Sequence, residues 1–259
     1  MKTGLCSVTF RQLPPRTIVD LTVRVQLDEI EWGGDVHVPP SAPHAELRDV
    51  GRMTHDAGIG LSSYGSYHRI MLPENGPNDF VPVLDAAEAL GTDVVRIWIS
   101  GRESHEADDA YFRHAADRTR AVAELAAQRS MTLAFEFHSG GLTDTAESAQ
   151  RLLDLVGMPN VMTYWQPLPR EQGFDYCGEL RCLFGRLLHI HCFHWVEKDR
   201  RPLAEGGALW QNRLDFLAGT EFANTVLLEF TRDNAPDSFL RDAATLRDMV
   251  RRARDKTRS

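Results

Sequence analysis

Residues 132–166, TLAFEFHSGGLTDTAESAQRLLDLVGMPNVMTYWQ, hold one complete copy of the unit that decides the fold. The run 132–138 (TLAFEFH) is short, apolar and rich in aromatic residues, which is the pattern of a strand. Residues 145–156 then carry Leu152, Leu153 and Val156 at helical spacing. Gly157 supplies a left-handed turn after the helix, and a second strand-like run follows at 161–166 (VMTYWQ). A strand, a helix and a strand joined in this way place the two strands parallel.

The same unit recurs on both sides. Further strand-like runs lie at 5–10, 29–32, 59–64, 94–99, 187–194 and 225–230. Helical patterns separate them at 17–26, 46–57, 80–90, 110–129, 178–184, 209–217 and from 237 to about 254. Small turn signals close several helices, at Ala57-Gly58, Leu90-Gly91, Val156-Gly157 and Leu217-Ala218-Gly219, where glycine is expected in the left-handed conformation. Eight strands alternating with eight helices in 259 residues predict a single (β/α)8 TIM barrel over 1–259, with no linker. A doubly wound open sheet is the alternative. No G-x-G-x-x-G or G-x-x-x-x-G-K-[ST] follows any strand, so neither a dinucleotide nor a nucleoside triphosphate signature supports it.

Composition narrows the function. With 42% hydrophobic and 25% charged residues the chain is that of a globular protein. The 37 acidic residues against 29 basic give a net charge of −8, which argues against nucleic acid and anionic membranes as partners. No window approaches the roughly eighteen uninterrupted apolar residues of a membrane helix. Only Lys198 of the three lysines lies away from the chain ends, so a Schiff-base mechanism has a single candidate. Cys6, Cys177, Cys182 and Cys192 show no CxxC spacing, and the opening MKTGLCSVTF has no signal-length apolar run. Reduced thiols in a cytoplasmic protein are expected. The basic run Arg251, Arg252, Arg254, Lys256 and Arg258 suits the C-terminal end of a helix dipole.

In a barrel the C-terminal ends of the strands carry the chemistry. Glu136 and Glu229 each sit within strongly apolar runs, LAFEFH and VLLEFT, where an ionised carboxylate requires a partner. One partner is a divalent metal, with the imidazole of His191 completing a mixed oxygen and nitrogen set suited to Mn2+, Co2+, Zn2+ or Mg2+. The competing reading is an ion pair with Arg96, Arg102 or Arg232. His189 points the same way as His191 on a strand but lies deeper, as a satisfied core histidine or a support to the site. Trp32, Trp98, Trp165 and Trp195 fall at or near strand ends, where flat rings suit the apolar faces of a sugar.

These residues together resemble the xylose-isomerase-like barrel superfamily of sugar isomerases and epimerases, over essentially the whole chain. The resemblance implies one divalent metal ion, Mn2+ first, held at strands five to eight by Glu136, Gln166, His191 and Glu229. Gln166 stands where that superfamily carries an aspartate, and Pro169 where a histidine is often found. The implied activity is metal-dependent isomerisation or epimerisation of a small sugar-type substrate through an enediolate, with Glu136 and Glu229 as acid and base. His37, Trp32, Tyr64, Arg102, His138, His194 and Arg232 are the expected substrate contacts, and a homodimer or homotetramer is the implied assembly. A lyase or dehydratase shares the same first half-reaction. A metal-dependent nuclease is disfavoured by the net charge, and a non-catalytic sugar-binding barrel is the reading in which Gln166 marks a lost metal site.

Overall fold

In the computed structural model, which describes residues 1–73 and 75–257, strands and helices alternate along the chain as the repeat requires. The order is β1 (Lys2–Cys6), α1 (Pro15–Arg24), β2 (Glu29–Gly33), α2 (His44–Asp56), β3 (Gly60–Arg69), α3 (Pro77–Leu90), β4 (Val94–Trp98) and α4 (Asp109–Ala127). It continues with β5 (Thr132–Phe135), α5 (Ala146–Val156), β6 (Val161–Trp165), α6 (Tyr176–Leu183), β7 (Leu187–Cys192), a hairpin of β8 (His194–Val196) and β9 (Asp199–Arg201), α7 (Gly207–Ala218), β10 (Thr225–Leu228) and α8 (Pro236–Lys256). Arg258 of the basic C-terminal run lies outside the described residues.

The eight long strands close a parallel barrel in the order β1-β10-β7-β6-β5-β4-β3-β2. Closure is made where β1 meets β10, in register from Lys2 with Thr225 to Leu5 with Leu228. The main core fills the layer between strands and helices, as in Trp210, Phe112 and Phe239, which are fully buried. A smaller cluster of Ala134, Tyr164 and Leu227 plugs the barrel beneath the site.

Local chemistry sets the element ends. Asp108 caps α4 by accepting from the Tyr111 amide at 2.8 Å, and Thr145 caps α5 by accepting from Ser148 at 3.2 Å. Gly58, Gly91 and Gly157 take the expected positive φ, whereas Gly219 has φ −74° and ends α7 without a left-handed residue.

Six of the barrel strands stop earlier at their C-terminal ends than the apolar runs suggest, whereas β2 and β3 run on past 32 and 64 to Gly33 and Arg69. After β5 the Glu136 amide still donates to Ile97, but that of His138 turns to Thr143, so 136–138 leave the ladder as a loop. After β10, Phe230 adopts φ 53° and redirects the chain. The expected strand at 5–10 is corrected: only Lys2–Cys6 is extended, and Ser7–Phe10 forms a 3-10 turn. The β8–β9 hairpin, which takes His194 out of the barrel, was not foreseen.

Candidate active site

Strand alternation decides which side chains reach the barrel interior. On β2, Ile30 and Trp32 pack outward into the helix layer and Glu31 faces inward. On β3, Tyr64 packs outward, with its hydroxyl donating to the Val38 carbonyl at 2.8 Å, and Ser63 faces inward. Arg96 on β4, Glu136 after β5, Gln166 after β6, His191 on β7 and Glu229 after β10 complete an inward ring of contacting side chains. All seven polar side chains of that ring are buried: Glu31 and His191 are 0% exposed, and Glu229, the most exposed, is 6%.

His191 is the hub. Its Nδ1 lies 3.1 Å from Gln166 Oε1, 3.3 Å from Glu229 Oε2 and 3.9 Å from Glu136 Oε1. Its Nε2 lies 3.5 Å from Glu31 Oε1. Arg96 contacts two carboxylates, donating from Nε to Glu31 Oε1 at 2.9 Å and pairing through Nη1 with Glu136 Oε2. Ser63 donates to Glu31 Oε2 at 2.7 Å, and Cys6 Sγ sits 3.2 Å from Glu31 Oε1.

The protonation states follow from these contacts. Burial opposes ionisation of Glu31, but the Arg96 guanidinium and the His191 ring hold its pKa well below the usual carboxylate range. Burial likewise opposes the Glu229 carboxylate, and His191 with Arg96 holds it low. Burial disfavours a charged His191, yet Glu229 and Glu31 raise it to about 9. Three carboxylates against one guanidinium leave two negative charges, of which an imidazolium at His191 cancels one. His189, one pleat deeper, is the satisfied core histidine: its Nδ1 accepts from Thr225 N at 3.2 Å, Nε2 meets the Ser62 carbonyl at 3.3 Å, and burial lowers its pKa to about 4.

A divalent cation fits the donor chemistry around His191, where Cys6, His191 and Glu229 bring ligand atoms within 4.8 Å of one another, the Gln166 carbonyl oxygen lies 3.1 Å from Nδ1 and Glu136 stands farther off at 3.9 Å. With neutral His191, a doubly charged ion would cancel both excess charges. Gln166 already points its carbonyl oxygen at His191 Nδ1, as an uncharged oxygen donor. The arginine reading is also realised in part: of its three candidates Arg96 alone pairs with a site glutamate, Glu136, leaving Glu229 to His191.

Above the ring opens a cavity of about 730 Å3, into which Glu136, Gln166 and Glu229 project. His138 and His194 line it as expected. His138 Nδ1 donates to the Ser139 carbonyl at 2.6 Å, which leaves Nε2 free, and its ring lies 4.6 Å from that of Trp98. The Trp98 indole N–H, also on the cavity wall, has no acceptor among the described residues.

The other expected contacts lie elsewhere. Trp32 is fully buried, with its N–H donating to Thr54 at 3.2 Å, and Tyr64 is sealed by Val38; both fall on the outward phase of their strands. His37 is locked between Ser7 Oγ, 3.0 Å, and the Phe10 carbonyl, 3.1 Å, bracing two loops. Arg102 is exposed over the Tyr111 ring, and Arg232 is exposed past β10, both outside the cavity lining. Glu31 and Arg96, absent from the expected site, are central to it. Alternation from Glu29 would have flagged Glu31, and the apolar run VVRIWI flags Arg96 as LAFEFH does Glu136.

This architecture belongs to a known class. The chain is a member of the xylose isomerase-like TIM barrel family, whose model matches residues 20–250. No curated protein matches the sequence. Among solved structures, the probable 3-DHS dehydratase AsbF of Bacillus anthracis, involved in petrobactin synthesis, superposes with a TM-score of 0.82 at 21% identity, covering 95% of this chain and 99% of that one. An L-ribulose 3-epimerase superposes with a TM-score of 0.78 at 15% identity, covering 99% and 97%. A xylose isomerase-like TIM barrel protein from Mycobacterium smegmatis, in complex with magnesium, gives 0.76 at 14% identity, covering 98% and 97%. At these identities the likeness is one of fold.

Proposed function

We propose that the protein is a cytoplasmic, divalent-metal-dependent isomerase or epimerase acting on a small sugar-type carbonyl substrate. The observation that carries this reading is the convergence of Gln166, Glu229 and Glu136 oxygens on His191 Nδ1 at the floor of a roomy cavity. The four free cysteines support a reducing compartment.

A divalent ion at that point supplies a Lewis acid, which makes the proton beside a carbonyl acidic and spreads the charge of the enediolate that results. The chain's own residues do the rest. Glu136 and Glu229 stand on separate strands at the cavity floor, so a substrate carbon between them meets one carboxylate on each side. One takes the proton and the other, once protonated, returns it; return to the opposite face inverts the centre, and return to the neighbouring carbon moves the carbonyl. Arg96 fixes Glu136 through one oxygen and leaves the other turned toward His191. His138 Nε2 and the Trp98 N–H are an acceptor and a donor placed to orient hydroxyls.

A second reading, loss of water from a hydroxylated keto acid, shares the proton abstraction. Its support is His138 on the cavity wall, whose Nε2 has no partner among the described residues and, once protonated to the imidazolium, is a third group able to hand a proton to a departing hydroxyl. Product analysis separates the two, since isomerisation conserves mass and dehydration does not.

The test is metal content of untagged protein incubated with Mn2+, Mg2+, Co2+ or Zn2+, beside Glu229→Gln. About one ion per chain, with affinity in the variant lower by at least about 100-fold, is expected. Wild-type protein that takes up none of the four ions overturns the reading.

A further inference from the structure

The cavity wall away from the glutamates holds a cation that the protein itself does not neutralise. Arg213 on α7 is 6% exposed and lines the cavity. Its guanidinium carbon lies 4.4 Å from the centroid of the Tyr176 ring, 4.8 Å from Trp210 and 5.7 Å from Trp165. Each ring spends its polar tip elsewhere. Trp165 donates to Glu179 Oε2 at 2.9 Å, Trp210 to the Phe193 carbonyl at 2.8 Å and Tyr176 to the Leu168 carbonyl at 2.9 Å.

Glu179, the carboxylate of this wall, is engaged by a different arginine, Arg170, at 3.0 Å. Arg213 makes no hydrogen bond or ion pair among the described residues. A buried guanidinium without a counter-ion is costly, and contact with ring faces offsets only part of that cost. The rings engage the cation through their faces and satisfy none of its five N–H donors. The result is a cage of ring faces presenting a planar fork to the cavity, the arrangement that binds an oxyanion in two-point fashion. The β8–β9 hairpin brings His194 and Lys198 to the same cavity, with Glu197 as its acidic member.

We propose that Arg213 is the recognition residue for an oxyanion on the substrate, so that the enzyme acts on a sugar acid, a hydroxylated keto acid or a sugar phosphate rather than a neutral sugar. The proposal rests on the functional reading above for the placement of the reacting carbons beside Glu136 and Glu229. A neutral sugar would leave the Arg213 donors unmet inside a closed complex, whereas a carboxylate or phosphate satisfies them and removes the uncompensated charge.

The test uses three six-carbon probes that differ in one group: D-glucitol, D-gluconate and D-glucitol 6-phosphate. Binding to the full-length protein is measured by calorimetry at fixed ionic strength in EDTA, so that loss of the metal site cannot mask the result. One charged probe is expected to bind at least about tenfold tighter than D-glucitol, and which one it is separates carboxylate from phosphate recognition. In Arg213→Gln the preference falls to about twofold or less, and in Arg213→Lys, which keeps the charge but loses the fork, it falls partway. Equal binding of all three probes to the wild type overturns the proposal, as does an undiminished preference in a folded Arg213→Gln. If both variants fail to fold, a crystal structure of the wild type with the tighter probe decides: the anion on the Arg213 guanidinium supports the assignment, and the anion elsewhere overturns it. Metal uptake and anion preference are separate readings, so either can fail alone.

Discussion

Arg96 ties the floor of the site together, since it is the shared partner of Glu31 and Glu136 and is itself 1% exposed. Removing one member of a buried ion network leaves the others charged and unpaired. Arg96→Met is therefore expected to cost about 3–5 kcal/mol in urea unfolding, more than a methionine placed at a neutral core position would. His191 carries a second prediction. With its pKa near 9 in the metal-free protein, Nδ1 must lose a proton before it can ligate. Metal affinity is expected to rise about tenfold per pH unit between pH 6 and 8, with close to one proton released per ion, read by calorimetry in buffers of different ionisation enthalpy. A pH-independent affinity would remove His191 from the ligand set. Glu136, Glu229 and the His191 imidazole were legible in the sequence because a polar or charged group inside an apolar run stands out, whereas Glu31 was missed. Trp32 and Tyr64 were misplaced because proximity to a strand end says nothing of phase: one residue along a strand turns a side chain from the interior to the helix layer.

At the scale of elements, the number and order of the barrel's strands and helices were legible, because period-3.6 and short apolar runs alternate and glycines punctuate them. The strand ends were not, because His138 and Phe230 keep strand-like composition while their amides turn away from the ladder, to the Thr143 carbonyl and to Thr9 Oγ1. The β8–β9 hairpin escaped notice for a related reason: its six paired residues carry three charges and a histidine, and continue an apolar strand without a turn signal. Helix packing turns on Gly51, where α2 crosses the end of α3 and a Cβ would collide with the Leu90 carbonyl oxygen. Backbone cannot swing aside as a side chain can. Gly51→Ala, which would stabilise an isolated helix by about 1 kcal/mol, is expected instead to destabilise the protein by about 1–3 kcal/mol, measured by chemical denaturation.

Across the whole molecule, chemistry and stability are divided between the two ends and the two layers of the barrel. His68, 8% exposed beside Phe80, belongs to the stability side. Burial, with Arg118 adding to it and Asp79 opposing, lowers its pKa to about 4. Above pH 6.5 it is neutral folded or unfolded; as pH falls from 6.5 toward 4 the unfolded chain gains a proton that the native state refuses, and stability drops. His68→Leu is expected to lose this limb, gaining about 1 kcal/mol on the wild type between pH 7.5 and pH 5 in matched urea titrations. A variant that tracks the wild type at both values would clear His68 of the effect. In the chemical layer, the hairpin over the cavity mouth holds Trp195 at 39% exposure, tilted against Phe193 and Phe230, while Trp32, Trp165 and Trp210 are wholly enclosed. The molecule thus carries its own optical reporter: a ligand settling under the hairpin dries Trp195 and, on the cavity wall, the half-buried Trp98, so that its arrival is expected as a blue shift in emission, without a label, that shrinks in Trp195→Phe.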